Sequence, residues 1–222
     1  MTLYDLITRF RVLANDKSEP FFWADEEVAD WLNDAVHEAC IRGRLLHKDE
    51  AATIEAKAGK SSYPYNAMDG GYVYEIDSIR FDAEGKSNYL KLVSPEAADS
   101  LIDGWRTGVT GEKPEYAIQS DEKITLAPAP KNDGTVFIGG YCLPKQMVDD
   151  SDEPEINAIH HRNLVYWALQ EAFSVPDAEV FDPQRSDMAR QKFERYFGLP
   201  TDSDLRRITR EDVLHTNKPF WI

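Results

Sequence analysis

The spacing of apolar residues changes twice along the chain, and that double change limits the fold more than any single motif does. Leu3, Leu6, Ile7, Phe10 and Leu13 recur at the period of a helix with one buried face over residues 2–14, and Thr2 stands where an N-cap is needed. A loop with Pro20 and the cluster Phe21-Phe22-Trp23 follows, and Asp25-Glu26-Glu27 then opens a longer helix. Those acids suit its positive N-terminal dipole. Val28, Trp31, Leu32, Ala35, Val36 and Ala39 form its apolar stripe, which ends near Gly43. Two helices joined by a short loop predict a helical hairpin.

After about residue 50 the period shortens. Ala52 to Ala56, Val73 to Phe81, Tyr89 to Val93, Tyr116 to Gln119, Lys123 to Ala127 and Thr135 to Leu143 read as strands. Gly, Asn, Asp and Pro separate them, as in an antiparallel sheet. Asp121-Glu122 and Asn132-Asp133-Gly134 read as hairpin turns, and Ser94-Pro95 starts a brief helix running to about Trp105.

Helical spacing returns beyond the acidic loop 149–155. Ile156, Ile159, Leu164, Trp167, Ala168 and Phe173 mark one helix; Phe181, Met188, Ala189, Phe193, Tyr196 and Phe197 mark the next, stopped by Gly198 and Pro200. The pattern predicts an α+β chain, mainly a helical bundle (1–50 and 156–198). It carries an antiparallel β-rich insertion with one short helix (51–155) and an extended C-terminal arm (199–222).

Charge narrows the function. With 25 basic and 40 acidic side chains the formal net charge is −15. Such a surface repels a phosphate backbone and disfavours nucleic-acid binding through a basic face. Cys40 and Cys142 lack C-x-x-C spacing and read as reduced, partly buried thiols. The start lacks the basic and apolar runs of a signal peptide, and no apolar stretch is long enough to cross a bilayer. Synthesis and folding in cytoplasm, with no membrane partner, are the expectation.

No catalytic, cofactor or metal residues emerge. In the run Asp149 to Glu155 the sixth position, where a calcium loop needs glycine, is Pro154, so a solvated loop is expected. His160-His161 are neighbours about 100° apart on a helix and cannot readily share one metal; one facing the core and one a neighbour is the simpler reading. Gly70-Gly71 and Gly139-Gly140 precede no Lys-Ser/Thr and read as turns or bulges. With 40 acids, some carboxylate pair always lies near a glycosidase separation, so that spacing is uninformative. Trp31, Trp167, Phe173, Phe193, Tyr196 and Phe197 read as core where helices meet.

The order of these signals resembles the head–tail adaptor (connector) proteins of tailed bacteriophages. The resemblance rests on Trp23-Ala24-Asp25-Glu26-Glu27-Val28 with Trp31-Leu32-Asn33-Asp34-Ala35, then on Ile79-Arg80-Phe81, Tyr89-Leu90 and Pro114-Glu115-Tyr116. It continues through Ile124 to Pro130 with a strand reaching Tyr141, Glu155 to His160, Leu164 to Leu169, and Asp177-Ala178-Glu179 through to Phe193. It implies a structural, non-enzymatic virion protein at the head–tail interface, made in the host cytoplasm and assembled as a ring of twelve under the portal. Implied partners are portal protein, neighbouring adaptor subunits and the next tail or nozzle protein, with DNA passing through the channel without specific binding. Ala24 departs from the pattern, since a hydroxyl cap is usual there; Asp25 is expected to cap instead.

Within that reading Phe21, Phe22, Trp23 and Trp105 are expected as exposed subunit-interface residues. Arg206, Arg207, Arg210, Phe220, Trp221 and Ile222 are expected to dock the arm on the portal. The arm is formally neutral, with Arg206, Arg207, Arg210 and Lys218 against Asp202, Asp204, Glu211 and Asp212. The rivals are a tail-tube or nozzle subunit, a virion-associated cell-wall hydrolase, and a carbohydrate-binding module with an exposed aromatic platform.

Overall fold

The helix-forming ends and the strand-forming middle are both present in the computed structural model, which describes residues 1–65, 72–120, 123–176 and 180–200. The chain opens with α1 (Leu3–Ala14) and α2 (Asp25–Gly43). The strands β1 (His47–Ala56), β2 (Ser62–Pro64), β3 (Val73–Ala83), β4 (Lys86–Tyr89) and β5 (Lys91–Leu92) follow. After α3 (Pro95–Leu101) and a 3-10 turn (Trp105–Thr107) come β6 (Thr110–Gly111), β7 (Tyr116–Gln119), β8 (Lys123–Ala127), β9 (Ala129–Pro130) and β10 (Gly134–Cys142). The helices α4 (Ala158–Ser174) and α5 (Pro183–Phe197) complete the described elements.

The balance of structure corrects the expectation of a mainly helical bundle. Of the described residues about 39% are helical and 28% are in strands, so the fold is α+β with the sheets as a full partner. The shortfall has a physical cause. The first half of β1, His47-Lys48-Asp49-Glu50, is polar and shows no apolar alternation, so only Ala52 onward looks like a strand. β2, β6 and β9 are two or three residues long and contain Pro64, Gly111 and Pro130, which read as loop. Residues 201–222 of the expected arm, the Asp121-Glu122 turn and Gly70-Gly71 lie outside the described residues.

Two four-stranded sheets have the orders β1-β10-β3-β4 and β2-β8-β7-β5, and β6 pairs with β9. The β3–β4, β2–β8 and β7–β8 pairs are antiparallel, but the short β5–β7 and β6–β9 pairs are parallel. Asn132-Asp133-Gly134 is not a hairpin: β9 before it pairs with β6, while β10 after it lies between β1 and β3. Its glycine is required for close packing. A Cβ on Gly134 would fall 2.6 Å from the Asp82 carbonyl oxygen and from the Phe81 ring. Gly139-Gly140 is strand, within β10.

By packing, the chain divides into two units. A helical unit holds Met1–Ala51, 72–75 and the described part of Gly140–Pro200; a β-rich unit holds 52–65, 76–120 and 123–139. In the helical unit α4 packs against α1, α2 and α5. Leu6, Phe10, Leu32, Leu164 and Phe193 are fully buried there, each worth about 1.5–3 kcal/mol of transfer free energy. Thr2 caps α1 as expected, its hydroxyl accepting from the Asp5 N–H while the Asp5 carboxylate accepts from the Thr2 N–H. The acidic loop is more than a solvated connection. The Asp152 and Asp150 carbonyls accept from the Leu3 and Tyr4 N–H groups at 2.8 and 3.1 Å, satisfying donors that a helix start leaves open.

In the β-rich unit Ile79, Ile124, Leu126 and Ile138 are fully buried. Ser94 caps α3 by accepting from the Ala97 N–H at 3.1 Å. The buried Tyr63 ring brings its hydroxyl to the Lys57 N–H (2.9 Å) and the Lys60 carbonyl (2.7 Å), tying down the turn before β2.

Candidate assembly surface

The loop between α1 and α2 carries the expected interface aromatics, and Arg11 organises it. Arg11 stands on the apolar stripe of α1, four residues after Ile7 and three before Ala14, and is only 8% exposed. Its guanidinium donates to Asp16 Oδ2 at 2.8 Å, to the Trp23 carbonyl at 3.1 Å and to the Asp25 carboxylate, and it lies 3.7 Å from the Phe21 ring centroid. The Asp16 carboxylate in turn accepts the Phe22 N–H at 3.1 and 3.2 Å. A nearly dry cation is thus satisfied by two carboxylates, a carbonyl and a ring face, and one side chain holds both ends of the loop.

Asp25 does not cap α2. It is spent on Arg11, and Ala24 occupies the cap with no side-chain bond, while Glu27 Oε2 accepts from the Ala24 N–H at 3.1 Å. The capping expectation is corrected accordingly.

Trp23 corrects a second expectation. It is 5% exposed and packs edge-on against Phe10, Phe22 and Phe173 at 5.4, 5.0 and 5.8 Å between centroids, so it is core. Phe21 and Phe22, by contrast, are 37% and 44% exposed. Beside them is a cavity of about 270 Å3 lined by Asp16, Phe22, Trp23, Phe173, Phe181 and Arg185 among others. Arg185 closes one side, donating to the Leu13 and Ala14 carbonyls at 3.0 and 3.4 Å and stacking 3.8 Å from the Phe173 ring centroid.

Trp105 is in the β-rich unit. It is half-buried against Ala98, Ile118 and Ala127. Its indole N–H donates to Asp99 Oδ1 at 2.8 Å, and Arg106 grips both Asp99 oxygens at 2.9 and 2.8 Å. Those bonds, from Arg106 first and Trp105 second, hold the Asp99 carboxyl below its ordinary range. Of the four, Phe21 and Phe22 are therefore exposed in one loop, Trp23 is core beside Phe22, and Trp105 belongs to the β-rich unit. Arg206, Arg207, Arg210, Phe220, Trp221 and Ile222 lie outside the described residues.

One further polar residue, Asn33, was missed in the sequence, and of the His160-His161 pair, read as having one member toward the core, it is His161 that is buried. Buried Asn33 clasps the Met147 backbone, donating to its carbonyl at 3.0 Å and accepting its N–H at 2.8 Å. His161 is 1% exposed and bonded at both ring nitrogens, to the Met1 amino group and the Ile156 carbonyl, each at 3.0 Å. His160 is partly exposed and meets the Tyr196 hydroxyl at 3.2 Å; burial, then His161, pushes its pKa down. Arg11 had a signal: a charged residue at the spacing of a buried stripe needs a partner. Among the described residues no cluster of three or more His, Cys, Asp or Glu is arranged to hold a metal ion. No helix described is long and apolar enough to cross a membrane.

The family model described as SU10 adaptor protein matches residues 1–214. The chain belongs to that family. It is a family of phage head–tail adaptors, and this adaptor is accordingly a structural phage protein that works within the virion alongside other virion proteins. No curated protein matches the adaptor individually. In the adaptor's helical unit the Phe21–Phe22 loop and the adjoining cavity form a surface held in place by interior contacts, a suitable arrangement for assembly.

Proposed function

We propose that the adaptor closes as a ring of twelve beneath the portal, joins capsid to tail and forms part of the DNA channel. The observation that carries this reading is the placing of exposed apolar side chains. Of sixteen exposed large hydrophobic residues among those described, thirteen lie in the helical unit and three, Tyr89, Leu101 and Val109, in the β-rich unit. Exposed apolar surface concentrated on one part of a molecule marks a surface that is covered in use. The helical unit, with Phe21 and Phe22, then faces portal and neighbouring subunits, and the distal surface receives the next tail or nozzle protein.

Charge supports the conduit. A formal −15 per subunit, repeated around a ring, gives DNA a repelling wall that favours sliding over sticking. The formally neutral segment 199–222 approaches an acidic portal surface more easily than the body does, with Phe220 and Trp221 as anchors and Arg206, Arg207 and Arg210 pairing with portal acids. The test is mass measurement of the adaptor mixed with portal, full-length and truncated after Gly198. A multi-copy complex for the full chain, lost on truncation at unchanged thermal midpoint, is expected. A full-length chain that stays monomeric with portal refutes the ring, and a truncated chain that binds equally well refutes the arm's role.

A further inference from the structure

Charge on the adaptor is unevenly divided between two outer helices of the helical unit. The α2 helix carries six acids and one arginine, while α5 carries four bases and two acids. Most of the charged groups around them have partners on their own subunit. Arg42 meets Glu38, Arg44 meets Glu75, Lys48 meets Glu155, and Arg190 meets Asp187 and Glu194. Two stripes remain.

On α2, Glu27, Asp30 and Asp34 are exposed at i, i+3 and i+7, and among the described residues none of them has a cationic partner. Burial first and Asp34 second push up the pKa of the partly buried Glu171 on α4, against an opposing hydrogen bond from Gln170. On α5, Lys192 and Arg195 are exposed and have no carboxylate partner among the described residues; Lys192 lies only over the Tyr166 ring, 5.1 Å from its centroid. The same side of α5 carries Met188, 58% exposed, at helical spacing with those bases.

The pattern is self-complementary, as a repeated contact requires. Asp30 and Asp34 are about 6 Å apart along the helix axis, and Lys192 and Arg195 about 4.5 Å. A chain with net charge −15 resists self-association unless the approaching surfaces are locally opposite in sign. Here a copy offers its own basic stripe, with Met188 beside it, to the acidic stripe of the next. Because the two stripes are different surfaces, the contact is head-to-tail, and a head-to-tail contact closes into a ring where its rotation permits. We infer that the α5 stripe of Met188, Lys192 and Arg195 docks on the α2 stripe of Glu27, Asp30 and Asp34 of a second copy of this chain. The inference rests on the ring reading above and names the surfaces that form it.

Cross-linking separates the two. Asp34→Cys and Arg195→Cys are introduced together in the full chain, which is mixed with portal and treated with a short bis-maleimide. The native Cys40 and Cys142 are buried, and burial pushes the Cys40 thiol up to about 12, so the introduced thiols react first. A ladder of covalent multimers is expected from the double variant and none from either single variant. If the complex holds several copies by mass but the double variant gives no ladder, the stripes do not meet while the ring reading stands. Dimers from Asp34→Cys alone would place like surfaces together and also overturn the inference, and a single-copy complex removes both readings. As a second measure, Lys192→Glu with Arg195→Glu should reduce assembly at least tenfold at low salt, and Asp30→Lys with Asp34→Lys in the same chain should restore it. All four positions are exposed, so circular dichroism should be unchanged; full assembly by the α5 reversal alone would overturn the inference.

Discussion

The helical and β-rich units solve the same problem, holding loops still, by different chemistry. In the helical unit the interior is a web of rings, with Phe10, Trp23 and Phe173 meeting edge-on and Trp167, Phe193 and Phe197 packed at 5.2 and 4.7 Å, and its loops are pinned by side chains buried with their charge or amide. Arg11 and Asn33 do this work. In the β-rich unit the buried side chains are largely Ile, Leu, Val and Ala, and the loops hang from tyrosine hydroxyls and from Asp133. Tyr65, for example, donates to the Ser120 carbonyl at 2.9 Å while Gln119 Nε2 donates to its oxygen at 2.9 Å. The difference matters for assembly. A loop held from below by a buried cation leaves its own apolar side chains outward, as Phe21 and Phe22 are, whereas a loop held by a hydroxyl at its rim turns its ring inward.

The largest effect expected from this contrast falls on two neighbouring residues. Trp23→Ala removes a ring that three others pack against and should cost about 3–5 kcal/mol, seen as a large fall in the denaturant midpoint. Phe22→Ala, one position earlier, should cost about 1 kcal/mol or less yet weaken the complex with portal. Equal stability losses for the two would mean that the loop is one cooperative piece of core and not a presented surface.

A smaller effect tests the β-rich unit. Tyr63→Phe keeps the ring and deletes the hydroxyl that joins Lys57 to Lys60, leaving a backbone donor without its acceptor. The expected loss is about 1–3 kcal/mol. Desolvation by burial raises the Tyr63 pKa above its ordinary 10.0, so the stability its hydroxyl contributes is complete below pH 10.0 and is lost as pH rises through the folded value. The loss on substitution should be constant around neutral pH and shrink above pH 10.0. Thermal unfolding at several pH values reads this directly. No measurable loss would show that turn to be held by strand pairing alone.

These contrasts were only partly legible in the sequence. Periodicity located all four long helices and, within a residue, β7, β8 and β10, because those segments show a clean period with capping or turn residues at their ends. It failed where side chains do not report backbone pairing. β1 begins in four polar residues, and β9 is an Ala-Pro pair whose bridge to β6 depends on a distant segment. The same blindness affected the site. Leu13 fits the α1 stripe by spacing but is exposed, while Arg11 on the truly buried face is the residue that holds the loop. Hydrophobicity ranks leucine inside and arginine outside; only the positions of Asp16, Asp25 and the Trp23 carbonyl, brought together by the fold, reverse that order.

The smallest effect separates two acids, one in each unit, that are both held by backbone N–H groups. In the helical unit Asp152 Oδ2 accepts from Val148 and Asp149 N–H at 2.8 and 2.9 Å, and these two bonds lower its pKa. In the β-rich unit Asp133 accepts the Ala58 N–H at 2.8 Å and faces Lys57 Nζ at 3.3 Å, and the backbone bond first and the lysine second lower its pKa. For each, the folded pKa lies below the ordinary value of 3.8, so the folded state binds its proton less readily than the unfolded chain does. The stability each contributes is therefore complete above pH 3.8 and is lost as pH falls through the folded value. Salt divides them. The Lys57 partner is exposed and is screened at about 0.5 M salt, whereas short bonds to backbone N–H groups are not. Following both side-chain carboxyls by NMR titration, the Asp133 pKa should rise toward 3.8 on adding salt while that of Asp152 stays in place. If both rise together, general surface charge and not the local bonds holds them low; if neither moves, Lys57 has no part in setting the Asp133 value.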